Sequence, residues 1–158
     1  MLASELASLG ADSTRETVAG VHFTGPRDMA WRACLWSRLA NRILWPLGQL
    51  EASDGDALYR GLCDIEWGRL FTARNTIAVD FSGANDGIRN TQFGAQRSKD
   101  AIVDWFIAAT AQRPSVDRAA PEVRLNVRLV RDRAHVAIDL SGGSLHRRGY
   151  RLQSGVAP

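Results

Sequence analysis

Two runs near the end of the chain restrict its fold more than any other feature. From Val123 to Val130, apolar Val123, Leu125, Val127 and Leu129 alternate with Arg124, Asn126 and Arg128. From His135 to Leu140 the apolar positions are Val136, Ile138 and Leu140. A period of two belongs to strands with one face on a core. The tight connection at Arg131-Asp132 makes the two runs a hairpin. Setting apolar against apolar fixes the register, because a slip of one residue would turn a whole strand inside out. Arg124 then lies opposite Asp139, and Arg128 opposite His135. Arg124 is therefore expected in a cross-strand ion pair with Asp139, not at a ligand.

A hairpin alone cannot close a core, and the preceding sequence supplies what covers it. Leu2–Leu9 has helical spacing and stops at Gly10. Thr14–Ala19 and Val21–Thr24 read as short strands broken at Gly20. Asp28 is placed to cap a helix running to about Arg42, with Met29, Ala33, Trp36 and Ala40 as its apolar stripe. Ile43–Leu50 returns to strand character, and Pro46 confines it to an edge or marks a bulge. Asp54 or Asp56 starts another helix, with Trp67 anchoring the loop behind it. A strand at Thr76–Ser82 presents Ile77, Val79 and Phe81 on one face. The helix that follows buries Ile102, Trp105, Phe106 and Ala109 and ends at Arg113-Pro114. Helices and strands interleave, so the class is α/β or α+β with a mixed sheet. A 158-residue chain with 45% hydrophobic residues and five tryptophans has material for one packed domain, with or without a small satellite.

Charge is divided unevenly. Residues 1–88 hold eight arginines and eleven acids, whereas residues 89–158 hold eleven arginines, one lysine and six acids. The basic half begins at the polar loop Ser82–Gly94, between the Thr76–Ser82 strand and the next helix. A strand-to-helix loop leaves free N–H groups where the helix dipole favours an anion. Arg89, Arg97 and Lys99, the sole lysine, sit beside that end. A phosphate backbone is the leading ligand, and the asymmetry itself points to a polyanionic partner. Cys34 and Cys63 lie in apolar contexts and read as buried thiols in a reducing cytosol. No apolar run approaches the roughly 20 residues that cross a bilayer. Without a signal-like start, the chain reads as cytoplasmic.

Most catalytic patterns are missing. His22, His135 and His146 form no metal-ligand spacing with either cysteine. There is no Gly-x-Ser-x-Gly elbow and no phosphate-binding Gly-Lys loop. Ser82–Gly87 lacks the Gly-x-Gly core of a dinucleotide loop. Asp80 and Asp86 have no adjoining base or nucleophile.

Several longer stretches resemble one family. They are Cys34-Leu35-Trp36-Ser37-Arg38-Leu39-Ala40, Asp80-Phe81-Ser82-Gly83 with Asn85-Asp86, and Ile88-Arg89-Asn90-Thr91-Gln92-Phe93-Gly94-Ala95. They continue through Lys99-Asp100-Ala101-Ile102-Val103-Asp104 and Pro114-Ser115-Val116-Asp117-Arg118. The last are Asp139-Leu140-Ser141-Gly142 and Leu145-His146-Arg147-Arg148-Gly149-Tyr150-Arg151. Together they are similar to the N-terminal region of the 23S ribosomal RNA guanine-N2 methyltransferases of the RlmL/RlmKL type, which contains a THUMP domain. The resemblance implies a truncated ferredoxin-like subdomain at 1–40, a THUMP RNA-binding domain at 41–145, and a basic segment and linker at 146–158. The linker would lead to a methyltransferase domain using S-adenosylmethionine. Relatives begin with a strand ahead of the first helix, so a missing strand and an exposed edge are expected here. Neither an Asn-Pro-Pro-aromatic motif nor any other adjacent prolines occur, so this stretch is expected to have no methyltransferase activity of its own.

The resemblance implies contacts to 23S rRNA from Arg89, Arg97, Lys99, Arg147, Arg148 and Arg151 to phosphates, with Asn90 and Gln92 offering hydrogen bonds. Asn90 has a second reading as a helix N-cap, Arg147 and Arg148 as solvated termini, and Tyr150 as either a stacking or a packed ring. Two other classes stay open. One is a small-substrate enzyme at the loop after Phe81, which a deep pocket with a perturbed acid or base beside Asp80 or Asp86 would mark. The other is a docking or dimerisation module using exposed tryptophans.

Overall fold

The computed structural model describes residues 1–145. They divide into two compact units, Met1–Ile43 with the residues from Gly143 onward, and Leu44–Gly142.

The first unit contains α1 (Leu2–Ser8), the antiparallel strands β1 (Ser13–Thr17) and β2 (Gly20–Thr24), and α2 (Met29–Trp36). Its sheet has these two strands alone among the described residues. Val18 and Ala19 form the turn, so Gly20 opens β2 and does not end β1. Two expectations for α2 are corrected. Asp28 does not cap it with its side chain, because Arg32 donates to that carboxylate from Nε at 3.0 Å. Nor does α2 run to Arg42. Glu5 on α1 accepts from the Ser37 hydroxyl at 2.6 Å, the Arg38 N–H at 2.8 Å and the Leu39 N–H at 3.3 Å. Those donors are fixed to a carboxylate from elsewhere in the chain, and Ser37 turns extended. Met29 and Ala33 are buried as expected, while Trp36 is exposed.

The second unit is a four-stranded mixed sheet with two helices. In chain order come β3 (Leu44–Glu51), α3 (Gly55–Cys63), a single 3-10 turn at Trp67–Arg69, β4 (Ile77–Ser82), α4 (Thr91–Thr110), β5 (Val123–Val130) and β6 (Arg133–Asp139). The sheet order is β3-β6-β5-β4, with β4 and β5 parallel and the other pairs antiparallel. The hairpin has the expected register, Arg124 against Asp139 and Arg128 against His135. Pro46 lies on an edge strand beside a bulge, which lets a residue without an N–H sit in the sheet.

The core of this unit joins Leu58, Leu62, Ile77, Ile88, Ile102, Phe106, Leu125, Val127 and Val136. Trp67 is fully buried and donates from Nε1 to the Leu62 carbonyl at 2.8 Å, which fastens the connection behind α3. Asp54 caps α3 by accepting from the N–H groups of Asp56 and Ala57. Along α4 the buried side holds Ser98, Ala101, Ile102, Val103 and Phe106. Ala109, expected inside, is exposed because the last turn runs past the packed stripe.

Candidate nucleic-acid interface

The loop from Gly83 to Asn90 is fastened from within. Gly83 has a φ of +91°, and a Cβ there would stand 2.1 Å from the Leu129 carbonyl oxygen. Only glycine satisfies both demands. Asn85 acts as the central staple. Its Nδ2 donates to the Ala52 carbonyl at 2.9 Å, the Arg131 carbonyl at 3.1 Å and the Asp132 carboxylate at 3.1 Å. Its Oδ1 accepts from the Gly87 and Ile88 N–H groups at 3.1 and 2.7 Å. Ile88 is fully buried, and Gly87 lies against Asp54 in a short parallel bridge. The loop that reads from sequence as an anion cradle thus spends much of its polarity holding β3, β5 and β6 to the start of α4.

The expected contact residues fall at different places. Arg89 is exposed and donates from Nε to the Asp86 carbonyl at 3.1 Å. Asn90 is the N-cap of α4, its Oδ1 accepting from the Gln92 N–H at 2.7 Å. The Gln92 side chain is exposed on the first turn. Arg97 faces α3: its Nη2 lies 2.7 Å from the Asp56 carboxylate, and its guanidinium sits 4.4 Å from the centre of the Tyr59 ring. Tyr59 in turn donates to Asp104 at 2.7 Å. That carboxylate, reinforced by burial, pushes the phenol well above its ordinary pKa. Arg97 therefore docks α4 on α3 as much as it offers charge to solvent.

Lys99 is two residues on, about 200° around the helix, and points away from that cluster. Its side chain is 19% exposed and its Nζ lies 2.7 Å from the Asp100 carboxylate. It lines a cleft of about 250 Å³ beside β4, with Asp80, Gln96, Val116, Arg118 and Arg124. The expected Arg124–Asp139 ion pair is corrected here. Arg124 Nη1 contacts both Asp80 oxygens at 3.1 and 3.2 Å, and Nη2 donates to the Arg118 carbonyl at 3.3 Å. Asp80 reaches it because β4 runs parallel to β5 with Ala78 beside Arg124. The hairpin sequence alone cannot show that neighbour. Arg118, which sequence reasoning did not single out, and Arg124, which it set aside as an ion-pair partner, thus line the cleft beside Lys99. Their signal would have been the placement of β4 next to β5, which a strand–helix–strand pattern permits. Arg147, Arg148, Arg151 and Tyr150 lie outside the described residues.

The arrangement offers cations and hydrogen-bond donors but no nucleophile–base pair. The cleft is smaller than the roughly 300–1,000 Å³ of small-molecule sites, and Asp80 is engaged by Arg124. Among the described residues no helix is long and apolar enough to cross a membrane.

Comparison with known proteins agrees with this geometry. The family model for the RlmL ferredoxin-like domain matches residues 1–44, and that for the THUMP domain matches residues 52–139. The ribosomal RNA large subunit methyltransferase K/L of Methylococcus capsulatus is 51% identical over all 158 residues, and that of Cellvibrio japonicus 49%. The chain spans 21% of the length of each. A Listeria monocytogenes protein described as a predicted N6-adenine-specific DNA methylase superposes with a TM-score of 0.83 at 28% identity. The match covers 99% of this chain and 41% of that one.

Proposed function

The chain belongs to the THUMP family, and from that membership we propose that it binds RNA as the substrate-holding part of a ribosomal RNA methyltransferase. The observation that carries the reading is the THUMP match over residues 52–139, joined to similarity over all 158 residues of this chain with part of the ribosomal RNA methyltransferases K/L. The cationic residues around α4 give it a physical basis, since RNA backbones are bound chiefly through phosphate contacts. In the finer reading the target is 23S rRNA in the cytoplasm and the product is an N2-methylated guanine. Catalysis belongs to a region that these relatives have beyond the stretch they share with this chain. The methyl donor there would be S-adenosylmethionine, and no residue of this chain is assigned to it.

Arg89, Gln92 and Lys99 are the contacts, extended by Arg147, Arg148 and Arg151. Asn90 and Arg97 fix the helix that carries them. The test is a competition titration of the chain between structured rRNA hairpins and a DNA duplex of equal length. Displacement by RNA at lower competitor concentration is expected. Preference for the DNA duplex would overturn the reading.

One observation favours a second role for the first unit. Trp31, Leu35 and Trp36 of α2 are 58%, 65% and 67% exposed, apolar side chains suited to protein contact. Light scattering showing a strict monomer at high concentration would count against self-association through it.

A further inference from the structure

We propose that the cleft formed by Lys99, Arg118 and Arg124 beside β4 is a phosphate seat for the RNA backbone, a site distinct from the start of α4. This inference rests on the RNA-binding reading and gives it a location.

Four observations carry it. First, three cationic side chains line one small concavity, against a single lining carboxylate, Asp80. Second, that carboxylate is already held by Arg124, and Asp100 outside the cleft is held by Lys99. Arg118 is exposed and enters no ion pair among the described residues, so its charge is free for a ligand. Third, Arg124 Nε is buried with no hydrogen-bond partner, the one such side-chain nitrogen or oxygen among the described residues. That nitrogen has almost no accessible surface, so Arg124 acts on an anion in the cleft through its charge and not through Nε. Fourth, the cleft, at about 250 Å³, has room for a phosphate group. An exposed arginine at its edge and recessed cations behind suit a phosphodiester on an extended chain.

Placement supports the same occupant. Lys99 and Gln96 come from α4 and Arg124 from β5, while Arg118 lies on the connection between them. The seat is therefore built across the β4–α4–β5 unit and is fixed by the sheet register. The loop from Gly83 to Asn90 secures α4 at one end, so loop and cleft are parts of one rigid platform.

The test is fluorescence anisotropy of a labelled rRNA hairpin with the unaltered chain and with Arg118→Ala, Lys99→Met and Arg113→Ala, across salt. Arg118→Ala is expected to weaken binding roughly 3–10-fold at moderate salt and to reduce the slope of log K against log salt by about one phosphate's worth. Lys99→Met is expected to do the same, with Lys99→Arg restoring most of the loss. Arg113→Ala, at an exposed arginine that does not line the cleft, should bind as the unaltered chain does. Thermal unfolding checks that each variant is folded. If Lys99→Met is not, the exposed Arg118 decides the matter. If the unaltered chain binds RNA with a clear salt slope but Arg118→Ala leaves affinity and slope unchanged, the cleft is overturned and the RNA reading stands. If the unaltered chain does not bind RNA, both fall.

Discussion

Asn85 separates a structural loop from a ligand loop. Replacing it with alanine removes all five hydrogen bonds that its side chain makes between the loop, the end of β3 and the β5–β6 turn. Two of these, to the Ala52 carbonyl and from the Ile88 N–H, are partly buried, and three are exposed. With about 1–1.5 kcal/mol for each partly buried bond and about 0.5 for each exposed one, the loss is roughly 4 kcal/mol. That is a large share of a domain's net stability, and for a unit of this size it lowers the thermal midpoint by roughly 15–30 °C. Urea unfolding followed by tryptophan fluorescence is the assay, since Trp67 is fully buried in the same core. Asn85→Asp sharpens the test. It keeps the acceptor for Gly87 and Ile88 but sets a carboxylate against two carbonyls and Asp132, so it should also be strongly destabilising near neutral pH. A variant that unfolds like the unaltered chain while losing RNA affinity would refute the structural account and restore the loop as a ligand contact.

Three further outcomes follow from named groups. Gly83→Ala should cost at least about 2 kcal/mol, because a left-handed φ adds its strain to the collision with the Leu129 carbonyl; urea melts read it. Burial pushes the Glu5 carboxyl up, but hydrogen bonds from Ser37, Arg38 and Leu39 outweigh it and hold the pKa below the ordinary 4.5. Because the folded value is the lower one, this stabilisation is full above about pH 4.5 and fades as the pH falls through the folded value. Glu5→Gln should therefore melt lower at neutral pH and converge on the unaltered chain in acid. Burial likewise pushes the Cys63 thiol up, partly offset by a hydrogen bond with Tyr59. Disulfide-exchange reagents at mildly alkaline pH should modify it at least about tenfold faster in urea than in the folded chain.

What could be read from the sequence and what could not divide along physical lines. The β5–β6 register is dictated by two faultless alternations that must share one buried face, so local pattern determines it. The caps at Asp54 and Asn90 are likewise local, each side chain accepting from N–H groups two or three residues ahead. The end of α2 is not local, since Glu5 takes the donors of Arg38 and Leu39 from more than thirty residues away. Arg124 shows the same limit at the site. Its hairpin partner was readable, but its ion-pair partner depended on β4 lying parallel to β5. The sequence grouped Arg97 with Lys99 as neighbours in number. The helix sends Arg97 to Asp56 and Tyr59 and Lys99 to the opposite side.

The central claim is that this chain holds RNA through its phosphates, and salt tests it most directly. Anisotropy titrations of the unaltered chain with a structured rRNA hairpin, from about 50 to 200 mM monovalent salt, measure the counterions released. With Arg89, Arg147, Arg148 and Arg151 each meeting a phosphate and Lys99 and Arg118 sharing one, log K should fall linearly against log salt with a slope of roughly −3.5 to −4.5. Binding whose strength does not change with salt would contradict the account.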